Sequence, residues 1–209
     1  MRALPKLRTL VLSILIASSV ALVACQPKLQ PEEDCNFVMS SDIQRVSWKN
    51  KLPVKLYISP EVPTELRESI RIAASKWNLE IGKEALLIYE SDNIPSTVQK
   101  DGINVIYWEE SWSSGKASEQ ARTTITWRGD TINEADILVN AKDHKFSAFG
   151  EIAPGKIDFT SLMVHELGHV LGLQHVSGEP SVMAPTLAEN TPRLTIEEVD
   201  VNSLKCEYN

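Results

Sequence analysis

Positive charge is what this chain is short of. It carries 21 Lys and Arg against 28 Asp and Glu, a formal net charge of −7 over 209 residues. An acidic chain has no electrostatic reason to bind nucleic acid, and it gains nothing from an anionic lipid surface. Long apolar runs are also missing. The one run of note, Leu10 to Ala24, falls short of the roughly 20 residues that a spanning helix needs. No internal repeat is present. Cysteine is scarce, at three, and so is histidine, at four. Three of those four histidines fall in one stretch, His165 to His175, and the rest of the chain reads as organised around it.

The first residues are set apart from the rest of the chain. Met1 to Leu10 holds Arg2, Lys6 and Arg8 and no acid, and the apolar run comes next. A basic start followed by a short apolar run predicts a secretory signal. The run ends Leu22-Val23-Ala24-Cys25, which resembles the lipobox of bacterial lipoproteins. That resemblance implies cleavage after residue 24 and lipidation of Cys25. The plainer alternatives are an ordinary signal peptide with a nearby cysteine, or an uncleaved anchor. Loss of the signal moves the net charge from −7 to about −10. With no basic patch, the lipid itself would have to hold the chain to the membrane. Gln26 follows the cysteine, in place of the aspartate that would resemble an inner-membrane retention signal, which favours an outer membrane in a cell that has one. If Cys25 is lipidated, Cys35 and Cys206 are left as a pair, and outside the cytoplasm they are expected to form a disulfide. The rival role for Cys35 is a thiolate blocking a metal ion, and no flanking motif supports it.

The expected domains are therefore a signal (1–24), a lipidated tether (25–47) and one domain (48–209). The tether is read from its polar composition, with Pro27, Pro31 and Glu32-Glu33-Asp34. Alternation of Val54, Leu56 and Ile58 predicts a strand over Leu52–Ser59. Leu66, Ile70, Ala73, Ala74 and Trp77 predict a helix capped by Thr64 and running to about Ile81, its apolar stripe in the core. Further strands are expected at Glu84–Glu90, Ile103–Trp108, Ala121–Trp127 and Ile132–Val139. Arg128-Gly129-Asp130, a cell-adhesion tripeptide in other settings, sits between two alternating runs and reads as a hairpin turn. Phe159–Leu173 is read as a helix carrying two of the clustered histidines. A last helix is expected from Thr195, with Glu198 closing a capping box. His144 reads as an exposed loop residue. This order of elements argues for an α+β domain rather than repeated βαβ units.

His165 and His169 are four apart, so on a helix they share a face about one turn apart. Two imidazoles so placed can hold one metal ion. His175 cannot join them on a continuing helix. It would lie roughly 9 Å further along the axis and be rotated by about 240°. The chain must turn back before it, and Gly172 stands where that turn is needed. Three histidines leave a fourth zinc position open, which catalysis requires and a structural site does not. Glu166 then sits beside the ion rather than on it. Zinc acidifies a water to a pKa near about 7 and polarises a carbonyl, and an adjacent carboxylate can carry the proton to a leaving amine. The reaction class is amide hydrolysis without a covalent acyl-enzyme.

The pattern His165-Glu166-x-x-His169-x-x-Gly172-x-x-His175, with Met183 downstream in Ser181-Val182-Met183-Ala184-Pro185, resembles the metzincin zinc peptidases. Within that group it most resembles the matrixins. The resemblance implies a zincin-like catalytic domain with a twisted mixed sheet, an edge strand, an active-site helix, a Met-turn at Met183 and a C-terminal helix. It implies an S1′ wall at Pro185, Thr186 and Leu187. It also implies that Ala135, Asp136, Ile137 and Leu138 form the edge strand along which substrate lies. This sequence departs from the family in three ways. It has no cysteine-switch propeptide after Cys25, no histidine in the loop from Glu109 to Trp127 for a structural zinc, and Leu187 where matrixins place a tyrosine. Calcium would have to use the acidic loops, and no calcium-loop pattern is present.

The reading is thus a lipid-anchored, extracytoplasmic zinc endopeptidase acting as a monomer on protein or peptide. Two rivals are a cell-surface binding lipoprotein that keeps the fold without turnover, and hydrolysis of a non-protein amide such as a peptidoglycan cross-link. Intact Glu166 argues against the first.

Overall fold

A computed structural model describes residues 29–151 and 153–208. The expected signal and Cys25 lie outside the described residues. Among those described, no helix is long and apolar enough to cross a membrane.

Five strands make one twisted sheet. They are β1 (Val54–Ile58), β2 (Leu86–Glu90), β3 (Asn104–Glu109), β4 (Ala121–Arg128) and β5 (Thr131–Asn140), in the spatial order β2-β1-β3-β5-β4. Neighbours are parallel except for β4, which runs antiparallel to β5 through the tight turn at Gly129-Asp130. A small parallel pair, β6 (Phe146–Ser147) and β7 (Ile157–Asp158), lies beside the large sheet. This is the mixed-sheet α+β arrangement expected from the sequence.

The sheet corrects one assignment. Ala135, Asp136, Ile137 and Leu138 are not at the edge. They lie on β5, which pairs with β3 on one side (Ile106 opposite Ile137) and β4 on the other (Thr123 opposite Ile137). The edge is β4. Its composition says why: Arg122, Thr124, Thr126 and Arg128 suit a strand with one open side, whereas Ile132, Ala135, Ile137 and Val139 are wholly buried.

Three helices complete the domain: α1 (Thr64–Ile81), α2 (Phe159–Val170) and α3 (Glu198–Lys205). The predicted stripe of α1 is the buried one. Thr64 opens the helix without capping it by its side chain. α1 packs on α2 and β2, and the fully buried Trp77 donates its indole N–H to the Val164 carbonyl of α2 at 2.8 Å. α3 starts later than expected. Its capping box is formed by Glu197 and Asp200 rather than by Thr195 and Glu198.

The expected tether also ends earlier than its polarity suggests. Phe37 and Val46 are wholly buried, and Phe37 forms an antiparallel bridge with Leu173. Cys35 is bonded to Cys206. Glu207 lies against the same segment, paired with Arg45 at 2.8 Å and Lys49 at 2.7 Å. Burial opposes its ionisation, yet hydrogen bonds from Lys49, Ser47 and Arg45 together hold its carboxyl below the usual range. A few apolar residues in a polar stretch are enough to fold it down when a disulfide and a charge cluster share the work.

Candidate metal centre

α2 begins where Asp158 caps it. The carboxylate accepts the Ser161 N–H at 2.7 Å and the Ser161 hydroxyl at 2.5 Å. The helix ends three residues before the expected Leu173, at Val170, and Gly172 takes φ +100°. The Gly172 N–H bonds to the His169 carbonyl at 2.9 Å and the Leu173 N–H to the Gly168 carbonyl at 3.0 Å, the paired bonds of a Schellman ending. A side chain at Gly172 would meet more than strain, because its Cβ would fall 2.3 Å from the Val46 carbonyl oxygen.

A helix end leaves carbonyls without partners, and when buried each needs one. Here they are supplied by segments far apart in the sequence. The Trp48 indole donates to Val170 (2.7 Å), the Tyr208 hydroxyl to Leu171 (2.5 Å) and the Val38 N–H to Gly172 (2.9 Å). The next carbonyl, Leu173, accepts from His169 Nδ1 at 2.7 Å. The Gln174 N–H then bonds to Asn36 (2.7 Å) and the Val176 N–H to Met183 (3.0 Å), so the residues on both sides of His175 are held.

This scaffold brings the three histidines together. Their Nε2 atoms form a triangle with sides of 3.1, 3.2 and 3.2 Å. His165 Nδ1 lies 2.8 Å from the Val182 carbonyl and His169 Nδ1 2.7 Å from Leu173. A carbonyl only accepts, so both Nδ1 atoms carry the hydrogen and both Nε2 atoms present lone pairs. Lone pairs that converge at this distance repel unless a cation lies between them. The size fits, since a tetrahedron with zinc–nitrogen bonds of about 2.0–2.1 Å has edges of about 3.3–3.4 Å. Burial, with His169 and His175 close by, pushes the His165 imidazolium down to about 3. Burial likewise lowers His175. Both favour the neutral form that a metal ligand requires. The three histidines could hold a metal ion.

Met183 lies wholly buried against α2 at Gly168, the residue before His169. It reaches that place because residue 168 is glycine, where a Cβ would stand 2.3 Å from Met183 Sδ. The turn is tied to α3 by a residue that sequence reasoning missed. Asp200, 1% exposed, accepts from the Ser181 hydroxyl at 2.5 Å and the Val182 N–H at 3.0 Å, and Ser181 Oγ in turn accepts the Met183 N–H at 2.8 Å. Its spacing from Ile196 and Leu204 marks it as inward-facing but not which groups it holds.

Glu166 is buried, and its carboxylate accepts the Thr123 hydroxyl of β4 at 2.6 Å. Burial raises its carboxyl above the usual range, against the pull of His169 and of the Thr123 hydrogen bonds. A bound cation would act in the same direction as that pull.

A cleft of about 610 Å³ runs over the histidines between β4 and the segment after Met183. Pro185, Thr186 and Leu187 line it, with Ala121, Thr123 and Ile125 opposite. Two further residues shape that segment. Arg193 donates to the carbonyls of Ala184 (2.8 Å) and Thr186, and Gln120 donates to that of Leu187 (2.8 Å). His144 is half-buried rather than exposed, with Nε2 2.9 Å from the Ala117 carbonyl. It takes no part in the histidine cluster.

A mixed sheet, two histidines on one helix turn, a third beyond a glycine ending and a methionine buried against the same helix define a protein of the metzincin class. Comparison with known families narrows this: the matrixin family model matches residues 63–209, and the chain belongs to that family. Among curated proteins it is 38% identical over 52 residues to Metalloendoproteinase 2-MMP of Arabidopsis thaliana, covering 25% of this chain and 14% of the relative. It is 25% identical over 173 residues to Metalloendoproteinase 4-MMP of the same plant, covering 78% of this chain and 48% of the relative. The chain thus spans under half the length of the curated relatives it matches. Matrixins bind zinc, and the three histidines could hold such an ion.

Proposed function

We propose that the protein is a zinc-dependent endopeptidase. The observation that carries this reading is the triangle of Nε2 lone pairs, open on the side of a cleft that Glu166 also lines. His165, His169 and His175 would hold the ion, which when bound supplies a Lewis acid for the scissile carbonyl and for the attacking water. The chain's own residues do the rest. β4, the open sheet edge, offers its backbone to an extended peptide, and Pro185, Thr186 and Leu187 form the opposite wall. Glu166 takes a proton from the attacking water onto a carboxylate oxygen and returns it to the departing amine nitrogen, so acid and base balance over one turnover. Leu187 in place of the family's tyrosine alters that wall, so side-chain preference is this chain's own.

The disulfide between Cys35 and Cys206 suits an oxidising, extracytoplasmic setting. We infer lipid anchoring through Cys25 from the sequence pattern around it. The test is Glu166→Gln in the purified zinc-loaded protein on casein or a peptide library, with a chelator control. Zinc content should stay stoichiometric while hydrolysis falls roughly 10²–10⁴-fold. Unchanged cleavage would sink the mechanism. Stoichiometric zinc with no turnover by the wild type would favour the binding-protein reading instead. Cleavage of purified sacculus alone would favour the peptidoglycan reading.

A further inference from the structure

We propose that Thr123 is a positioning residue for Glu166, a role that rests on the peptidase reading above. Threonine is ordinary in a strand, and propensity alone would explain it there. Its placement is what propensity does not explain. Thr123 sits at the middle of β4, opposite Ile137, with its side chain turned towards α2. Its hydroxyl lies 2.6 Å from Glu166 Oε2 and 3.3 Å from the Glu166 backbone carbonyl. One hydroxyl hydrogen serves one acceptor well, and the charged, nearer oxygen is the stronger partner.

Among the described residues, Thr123 is the only hydrogen-bond donor to the Glu166 carboxylate. The second oxygen, Oε1, has no protein partner. It is not fully enclosed either, for among the described residues the one buried side-chain polar atom without a partner is Thr160 Oγ1. Oε1 therefore opens onto the cleft that Glu166 lines. The two oxygens have different work. Oε2 is tied to the sheet edge, and Oε1 faces the place where water and substrate meet.

A terminal carboxylate torsion is soft, with a broad two-fold profile. Without the tie, both oxygens exchange freely and the carboxylate turns away from the attacking water for much of the time. A small misplacement of a group that moves a proton can lower a rate by up to about 10²-fold without changing binding. The link has a second consequence. β4 is also the strand that would receive the peptide, so the strand that aligns the substrate also aligns the base. Substrate register and base position are then set by one element rather than two.

The test compares wild type, Thr123→Val and Thr123→Ser as full-length zinc-loaded proteins on one internally quenched peptide, reading kcat and KM separately. Zinc content, zinc release to a chelator and the apo-protein melting curve are read beside them. Thr123→Val keeps the branched shape and removes the hydroxyl. It is expected to lower kcat about 10- to 100-fold with KM within about twofold, and to keep its zinc. Thr123→Ser keeps the hydroxyl and is expected to recover kcat to within about threefold of wild type. Thr123→Ala, which removes the hydroxyl with less bulk, is expected to match Thr123→Val. A Thr123→Val enzyme with wild-type kcat overturns the inference. So does a Thr123→Ser enzyme as slow as Thr123→Val, since the methyl group would then be what matters. An inactive wild type overturns the peptidase reading and this inference with it, whereas an active wild type with an unimpaired Thr123→Val overturns this inference alone.

Discussion

Replacing Gly168 by alanine sets two opposed effects against each other, and the sign of the result decides between them. Within a helix, alanine is favoured over glycine by about 0.8–1.0 kcal/mol. At this position a Cβ would stand 2.3 Å from Met183 Sδ, 3.0 Å from Met183 Cε and 3.0 Å from Trp77 Cζ2. Ordinary contact needs closer to about 4 Å, so the thioether would have to retreat by more than about 1 Å. It has little room to do so, because both neighbours are wholly buried and the Trp77 indole is fixed to the Val164 carbonyl. Overpacking of this kind costs about 1–3 kcal/mol, to which the loss of Met183's own fit is added. Overpacking therefore outweighs propensity, and Gly168→Ala is expected to lose about 1–2 kcal/mol net. In a domain of this size that is a fall in Tm of about 2–8 °C. The assay is equilibrium denaturation with chelator present, so that zinc binding does not mask the loss by mass action. Zinc retention should also drop, since Val182 and Met183 give their carbonyls to His165 and Val176. A variant more stable than wild type by about 1 kcal/mol would show propensity winning. The reading of Gly168 as the space that admits Met183 would then be wrong.

Asp136 is buried, and that burial, with Glu134 and Asp101 nearby, pushes its carboxyl up to about 7 against the Val105 hydrogen bond. A raised folded pKa favours the protonated form, so stability should fall as pH rises from about 4 to about 7 and stay reduced above that. Asp136→Asn keeps the acceptor for Val105. It is expected to raise stability at pH 8 by about 2 kcal/mol after allowing for solvent screening, and to do little at pH 4. Urea titrations at the two pH values check this, and an equal effect at both would count against it. Cys35→Ser with Cys206→Ser is expected to cost about 2–5 kcal/mol of stability. It should also speed zinc release, because the segment it frees holds Gly172 and Gln174. Chelator-exchange kinetics beside a melting curve separate the two effects. A lower Tm with unchanged zinc release would show that the segment braces the fold and not the ligand turn.

The histidine cluster could be read from sequence because its logic is local. A four-residue spacing, a glycine and six residues to the next histidine are enough to demand a helix and a break. The edge strand could not be read that way. β4 and β5 both alternate, and which lies outside depends on β3, whose pairing with β5 spans some thirty residues (Ile106 opposite Ile137). The polarity of Arg122, Thr124 and Arg128 pointed to β4, but family likeness around Glu134 to Val139 pulled the assignment to the wrong strand of the hairpin. Asp200 and Arg193 escaped notice for a related reason. Each acts on a backbone group in the turn after His175, and nothing in a sequence marks which carbonyl or amide lacks a partner. The tether boundary was misplaced because composition averages over residues. Phe37 and Val46 are two apolar residues among many polar ones, yet both are wholly buried.

The carbonyls at the end of α2 bear on timing as well as geometry. Trp48 and Tyr208, which cap two of them, are 160 residues apart and also meet each other, the Trp48 N–H lying 3.3 Å from the Tyr208 hydroxyl. Contacts that close so long a loop are the slow ones in folding. α2 can wind up early and carry His165 and His169 with it, but the turn that delivers His175 is finished only when the segment around Tyr208 has docked. The centre is therefore a late product of folding. Until then two histidines are in place and the third is unheld, so the full grip on a metal ion arrives together with the packing of the segments that brace the turn.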